Sequence, residues 1–204
     1  MTILSIIINV MQSKLKEFFS NIDFATKNIN LLKIDNIIKS LKTIKQKKGR
    51  VFFLGVGGSA ANCTHAVNDF RKLCNIESYT PVDNVAELTA RINDEGWEGS
   101  LLEWLKVSKI NNKDCIFIFS VGGGDIKRNV SVNLINCIKY SVKNKIKIFS
   151  IVGRKGYAFK HSDISILINV NNQKLITPIS EAYQAVIWHA MVSDKRLCEN
   201  KTKW

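Results

Sequence analysis

The chain has 204 residues, of which 46% are apolar and 23% charged, and its formal net charge is +13. This length suits one domain with a full hydrophobic core and is short for two. The excess of positive charge lies towards the two ends, since residues 51–125 carry six basic and ten acidic residues. The lysines form no stripe with interleaved aromatic residues, so nucleic-acid binding is not predicted.

The cysteines and the first residues of the chain indicate in which cellular compartment the protein is expected. Five cysteines are an odd number and show no C-x-x-C spacing, which predicts reduced thiols in a cytoplasmic protein. Residues 1–11 are apolar but fall short of the roughly 20 residues that span a bilayer. They also lack a basic start and a cleavage site, so neither a membrane span nor a signal peptide is predicted. We expect them to pack against a neighbouring helix or a second subunit.

Two regions differ in their apolar periodicity. From Leu15 to about Lys48 apolar residues recur at helical spacing, which predicts an N-terminal helical arm over residues 1–48. From residue 49 to 204, short apolar runs alternate with helical stretches. The runs at 51–56, 77–82, 115–121, 146–152 and 164–170 predict five strands, and the stretches at 60–74, 85–107, 127–143, 156–161 and 179–197 predict helices. This alternation is typical of an α/β domain with a five-stranded parallel sheet flanked by helices, flavodoxin-like or Rossmann-like.

A glycine-rich loop follows the first predicted strand. Gly55, Gly57 and Gly58 precede Ser59 and a helix, and such a turn lets backbone N–H groups approach an anion. The loop also fits a loose G-x-G-x-x-A dinucleotide-binding pattern. Asp83 lies near the position at which that pattern has an acidic residue that binds the ribose. A second such loop, residues 120–125, follows the third predicted strand. Two loops at one sheet edge suit a small phosphorylated substrate better than a long cofactor, although both can also be plain strand-to-helix turns.

Four polar residues on two predicted helices are candidates for chemistry. His65 and Asp69 stand four apart and so share a helix face just after the glycine loop. His189 lies in an otherwise apolar helix, where a satisfied core histidine is the simpler interpretation, and Glu181 stands eight residues before it. The residue types suit a metal site or acid-base catalysis. The spacing alone does not decide between these roles.

Taken together, these motifs resemble the SIS (sugar isomerase) domain, and within it the bacterial phosphoheptose isomerases, over about residues 15–197. The family motif G-N-G-G-S-x-x-D-A-x-H-F-A-x-E is similar to residues 55–69, and its N-D-F-G-F segment is similar to residues 93–97. Its last helix carries Gln and, eight residues later, His, where this chain has Glu181 and His189. Asp69 stands in place of the family's Glu, and the second loop lacks the family's Ser and Thr residues.

The resemblance implies a single SIS domain that isomerises sedoheptulose 7-phosphate to D-glycero-D-manno-heptose 7-phosphate through an enediolate, for the heptose of surface polysaccharide. It implies Asp69 and His189 as the acid-base pair and His65, Asp69, Glu181 and His189 as ligands of zinc. It further implies a homo-oligomer, tetramer or dimer, with no membrane partner. The implied substrate-binding residues are Gly57, Gly58, Ser59, Asn93, Asp94, Ser120, Gly122, Gly123, Gly124 and Glu181.

Two other interpretations stay open. The altered second loop is also compatible with a non-catalytic phosphosugar-binding module or regulator on the same fold. The dinucleotide-like pattern is compatible with a nicotinamide-dependent dehydrogenase. Conversion of aldose to ketose phosphates separates an enzyme from a binding module, and stabilisation by NAD tests the dehydrogenase.

Overall fold

The computed structural model describes residues 3–201, with side chains from residue 13 onward. The apolar first residues, predicted to pack against a helix or subunit, therefore lie outside the described side chains. Two helices precede an alternating series of strands and helices, as the periodicity predicts. The elements are α1 (Ile3–Lys27), α2 (Leu31–Gln46), β1 (Val51–Leu54), α3 (Gly58–Cys74), β2 (Ser78–Tyr79), α4 (Val85–Val107), β3 (Cys115–Ser120), α5 (Val132–Lys143), β4 (Lys147–Val152), α6 (Tyr157–His161), β5 (Ile164–Leu167), a short 3-10 turn (Gln173–Leu175) and α7 (Ile176–Val192).

The five strands form one parallel sheet in the order β2-β1-β3-β4-β5. β1 and β3 are buried along their whole length, because apolar side chains on both faces are covered by helices. Phe53 of β1 pairs with Phe117 of β3, which pairs with Phe149 of β4. The predicted α/β class with a five-stranded parallel sheet is confirmed. β1 and β3 lie side by side, so the two glycine loops leave the same edge of the sheet.

Two apolar layers cover the sheet. One contains buried side chains of α2, α3 and α7 packed on Phe53 and Phe117, and the other contains side chains of α4, α5 and α6 packed on Phe52 and Leu54. Four side chains of α2 lie in the first layer, so the predicted arm shares the core of the sheet. The boundary at residue 48 stays a prediction.

Two helices begin elsewhere than the periodicity predicts. α5 begins at Val132 rather than near residue 127, because Asp125 accepts hydrogen bonds from the backbone N–H groups of Lys127 and Arg128 and closes a turn. α7 begins at Ile176, three residues early, and carries Pro178 in its first turn, where no backbone donor is needed. It also ends at Val192 rather than near residue 197.

The five thiols are free, and four of them are buried. Burial raises the pKa of Cys63, Cys115 and Cys137, and it raises the pKa of Cys74 to about 12. This agrees with the prediction of unpaired core thiols. Within the described residues, no helix has both the length and the apolar character that crossing a bilayer requires.

Candidate active site

The first glycine loop connects β1 to α3 at the carboxyl edge of the sheet. Gly57 has a φ of +64° and precedes the first residue of α3, Gly58, so the chain turns there through a conformation that favours glycine. Gly57 and Gly58 are exposed, whereas Ser59 is 1% exposed. The loop therefore presents backbone rather than a free hydroxyl to a ligand.

Ser59 is held by the last helix. Its hydroxyl accepts a hydrogen bond from Gln184 Nε2 at 3.0 Å. Asn62 Nδ2 donates to Gln184 Oε1 and to the backbone oxygen of Glu181, each at 2.9 Å. Gln184 is fully buried and fixes α3 against α7. The sequence does not reveal this residue, because nothing in its local pattern distinguishes it from a surface glutamine.

His65, Asp69 and His189 come together on the facing sides of α3 and α7. Asp69 Oδ2 lies 3.7 Å from His65 Nε2 and 3.6 Å from His189 Nε2. Candidate ligand atoms of the three residues all lie within 4.8 Å of one another. Both imidazoles are about half exposed, whereas Asp69 is mostly buried. The carboxylate thus lies at the bottom of a small site whose two histidines face solvent.

Neighbouring groups orient this site. Asp69 Oδ1 accepts from Asn68 Nδ2 at 2.8 Å, which leaves Oδ2 towards the histidines. His189 Nδ1 lies 2.8 Å from the backbone oxygen of Ala185; because a carbonyl only accepts, Nδ1 carries the hydrogen and the neutral ring keeps its lone pair on Nε2. The buried ring of Trp188 packs 3.5 Å from the His189 centroid and 4.7 Å from that of His65. Two nitrogens and a carboxylate oxygen suit a divalent metal such as zinc or proton transfer.

Glu181 lies at the glycine loop rather than in this group of three. A β-carbon on Gly58 would lie 2.7 Å from the carboxyl carbon and both carboxylate oxygens of Glu181. The carboxylate therefore contacts the first turn of α3, where negative charge is favourable. It also places an anion beside the backbone that a phosphate would approach. Its predicted role as a metal ligand stays a prediction.

The second glycine loop begins at Ser120, the last residue of β3. The Ser120 hydroxyl accepts from the backbone N–H of Gly123 at 3.0 Å, so it shapes the loop. Gly123 and Gly124 have φ angles of +72° and +84°, and their carbonyls accept from the backbone of α6. The two glycine loops lie at the same edge of the sheet, as predicted.

Asn93 and Asp94 lie on α4. Both are exposed, and Asn93 Nδ2 donates to Asp94 Oδ1 at 2.7 Å. Gly96 interrupts the helix with a φ of +72°. α4 belongs to the opposite layer from α3 and α7, so these two side chains do not join the histidines within one chain. Their assignment to the substrate site stays a prediction.

No family model matches the chain. A curated relative, the phosphoheptose isomerase of Buchnera aphidicola subsp. Schizaphis graminum, is 28% identical over 162 residues, covering 73% of this chain and 80% of the relative.

Solved structures share the fold. A phosphoheptose isomerase from Neisseria gonorrhoeae matches with a TM-score of 0.74 at 19% identity, covering 91% of this chain and 96% of that one. The Vibrio vulnificus NanR protein, complexed with ManNAc-6P, matches with a TM-score of 0.63 at 10% identity, covering 93% and 63%. The chain is thus similar in sequence to a phosphoheptose isomerase and shares its fold with another, which agrees with the resemblance of its sequence motifs.

Proposed function

We propose that this protein is an aldose-ketose isomerase that acts on a phosphorylated sugar, with sedoheptulose 7-phosphate as substrate and D-glycero-D-manno-heptose 7-phosphate as product. The observation that carries the proposal is the His65–Asp69–His189 group on two facing helices beside a glycine loop. The name of the Buchnera relative agrees with it. The product serves heptose synthesis for surface polysaccharide.

The reaction moves a proton between C1 and C2 of the sugar through an enediolate. One group removes the proton while another donates to the oxygen that gains negative charge. Asp69 takes the role of base, since its Oδ2 is oriented and mostly buried. His189 takes the role of acid in its protonated form, in which Nε2, the nitrogen that the Ala185 contact leaves towards the site, carries the hydrogen that is donated. Positioning by fixed helices supports both transfers.

A zinc ion fits the donor set of the same group. His65, Asp69 and His189 supply the nitrogen and oxygen ligands that zinc accepts, and His189 also has the hydrogen-bonded second nitrogen that is usual for a metal-bound imidazole. When bound, zinc polarises a sugar oxygen and stabilises its negative charge. The Glu181 carboxylate would become a further ligand of this ion only if its side chain moved away from its contact with Gly58.

The phosphate group is assigned to the backbone of the two loops. Gly57 and Gly58 present exposed backbone at the start of α3, and the segment from Ser120 to Gly124 lies at the adjacent strand end. N–H groups in such turns bind anions.

We further propose a cytoplasmic homo-oligomer, tetramer or dimer, in which Asn93 and Asp94 reach the site of a neighbouring subunit.

An isomerase assay tests this function. The wild-type protein is incubated with ketose phosphates of five to seven carbons, with and without a chelator, and the aldose products are separated. We expect turnover of the seven-carbon substrate and its loss on chelation. Asp69→Asn should lower kcat/KM by about 10²–10⁴-fold, whereas Asp23→Asn, on the exposed surface of α1, should match wild type. Wild-type activity in Asp69→Asn contradicts the assignment.

A binding module is the second candidate. The Vibrio structure with the same fold holds a sugar phosphate, and in this chain Ser59 is buried and Glu181 lies at the loop. This candidate predicts thermal stabilisation by sugar phosphates without interconversion. A folded protein that is stabilised but produces no aldose supports it over the isomerase.

A further inference from the structure

A separate cavity of about 670 Å³ lies at the carboxyl edge of the sheet, beside the second glycine loop. Its walls come from the turn between β3 and α5 and from the segment that joins β4 to α6 and the start of that helix. Gly122 and Gly124 in its lining belong to the second glycine loop, whereas no lining residue belongs to the first glycine loop or to the His65–Asp69–His189 group.

Backbone contacts fix the two walls against each other. The carbonyl oxygen of Gly123 accepts from the N–H of Ala158 at 2.7 Å, and that of Gly124 accepts from Tyr157 at 2.9 Å. A β-carbon on Gly156 would lie 2.1 Å from the carbonyl oxygen of Gly122, so the two segments touch there. The turn itself is closed by two backbone hydrogen bonds between Asp125 and Val130. The cavity is therefore preformed, as binding sites for small ligands usually are.

The charge in this cavity is strongly positive. One carboxylate, Asp125, faces five cationic side chains, which are Lys127, Arg128, Arg154, Lys155 and Lys160. Asp125 already accepts two backbone hydrogen bonds and lies 3.7 Å from Arg128 Nε. Within residues 13–201, the other four cations form no ion pair with a carboxylate. Like charges gathered around one concave surface repel each other and attract a polyanion.

We propose that this cationic cavity binds the polyphosphate group of a small phosphorylated ligand. Four unpaired cations match the charge of two or three linked phosphates better than that of a single phosphate. Lysine ammonium groups contact phosphate as point charges, and arginine can contact two phosphate oxygens at once. The cavity shares Gly122 and Gly124 with the loop proposed above to bind the sugar phosphate, but its cations belong to neither the first glycine loop nor the His65–Asp69–His189 group. Because these cations exceed the charge of one phosphate, we assign the cavity to a regulator or a second substrate rather than to the sugar phosphate.

Calorimetric titration of the full chain with inorganic pyrophosphate tests this proposal. We expect one pyrophosphate per chain. The double variant Lys155→Glu with Lys160→Glu should weaken binding at least about tenfold, because two cations of the cavity become anions. The matched control is Lys139→Glu with Lys143→Glu, which changes the total charge equally on the exposed surface of α5, and it should stay within about twofold of wild type.

The variant Asp69→Asn tests whether pyrophosphate binding in this cavity is independent of the proposed catalytic carboxylate. Pyrophosphate binding should persist in that variant whether or not the isomerase proposal holds. Failure of wild type to bind pyrophosphate overturns the proposal, and so does an equal loss in the two lysine double variants, which indicates general surface charge. Tighter binding of a single-stranded oligonucleotide than of pyrophosphate or ATP, lost in the cavity variant, indicates a nucleic-acid site instead.

Discussion

Replacing Gln184 by methionine removes the hydrogen bonds that join α3 to α7 while keeping a side chain of similar volume. Gln184 is fully buried and bonds Ser59 and Asn62. Loss of a buried partner costs about 1–2 kcal/mol for each bond, so we expect the free energy of unfolding to fall by about 2–4 kcal/mol. Asn62 keeps its bond to the Glu181 carbonyl, which limits the loss on that side.

Thermal and urea denaturation measure this change. For a chain of this size the melting temperature should fall by about 5–15 °C, because 1 kcal/mol corresponds to about 2–4 °C. The control is Gln46→Met at the exposed end of α2, which should change the unfolding free energy by less than about 0.5 kcal/mol. If Gln184→Met is as stable as this control, the hydrogen bonds between the helices contribute little and the argument is refuted.

Two further predictions concern titration and thiol reactivity. Hydrogen bonds from the Arg196 side chain and backbone lower the pKa of Asp194 from 3.8 to about 2, so its contribution to stability is present above pH 3.8 and is lost as the pH falls through about 2. Acid unfolding should therefore show wild type and Asp194→Asn converging between these values, and a difference that does not depend on pH contradicts this. Cys198 is the partly exposed thiol, so a thiol reagent should label one cysteine rapidly in native protein and all five after unfolding. Rapid labelling of Cys74, whose pKa burial raises to about 12, contradicts the packing described.

The sheet could be predicted from the sequence because its causes are local. Four of the five strands are short, mainly apolar runs, the exception being the two-residue β2 (Ser78–Tyr79). Three glycines in four positions mark the first loop. The start of α5 could not be predicted, because helix periodicity does not show that the side chain of Asp125 bonds the next backbone N–H groups. A side chain that competes with the helix for backbone donors shifts the boundary without changing the pattern.

The candidate site was only partly predictable. The spacing of His65 and Asp69 places them on one face of α3, but the approach of His189 depends on how α7 packs against α3. The bonds of Gln184 to Ser59 and Asn62 join residues 125 and 122 positions apart, and no local pattern records such contacts. The contact of Glu181 with Gly58 likewise follows from tertiary packing. This packing determines whether the Glu181 carboxylate lies among the candidate metal ligands or at the glycine loop.

The pairing of α3 with α7 also determines when the site can form during synthesis. α3 follows the first strand, and α7 ends twelve residues before the end of the 204-residue chain. Contacts between such distant segments close only after the loop between them has been ordered, which slows folding. A nascent chain therefore carries one half of the site, His65 with Asp69, until α7 has left the ribosome. Truncations that remove α7 should leave the buried face of α3 uncovered and prone to aggregation.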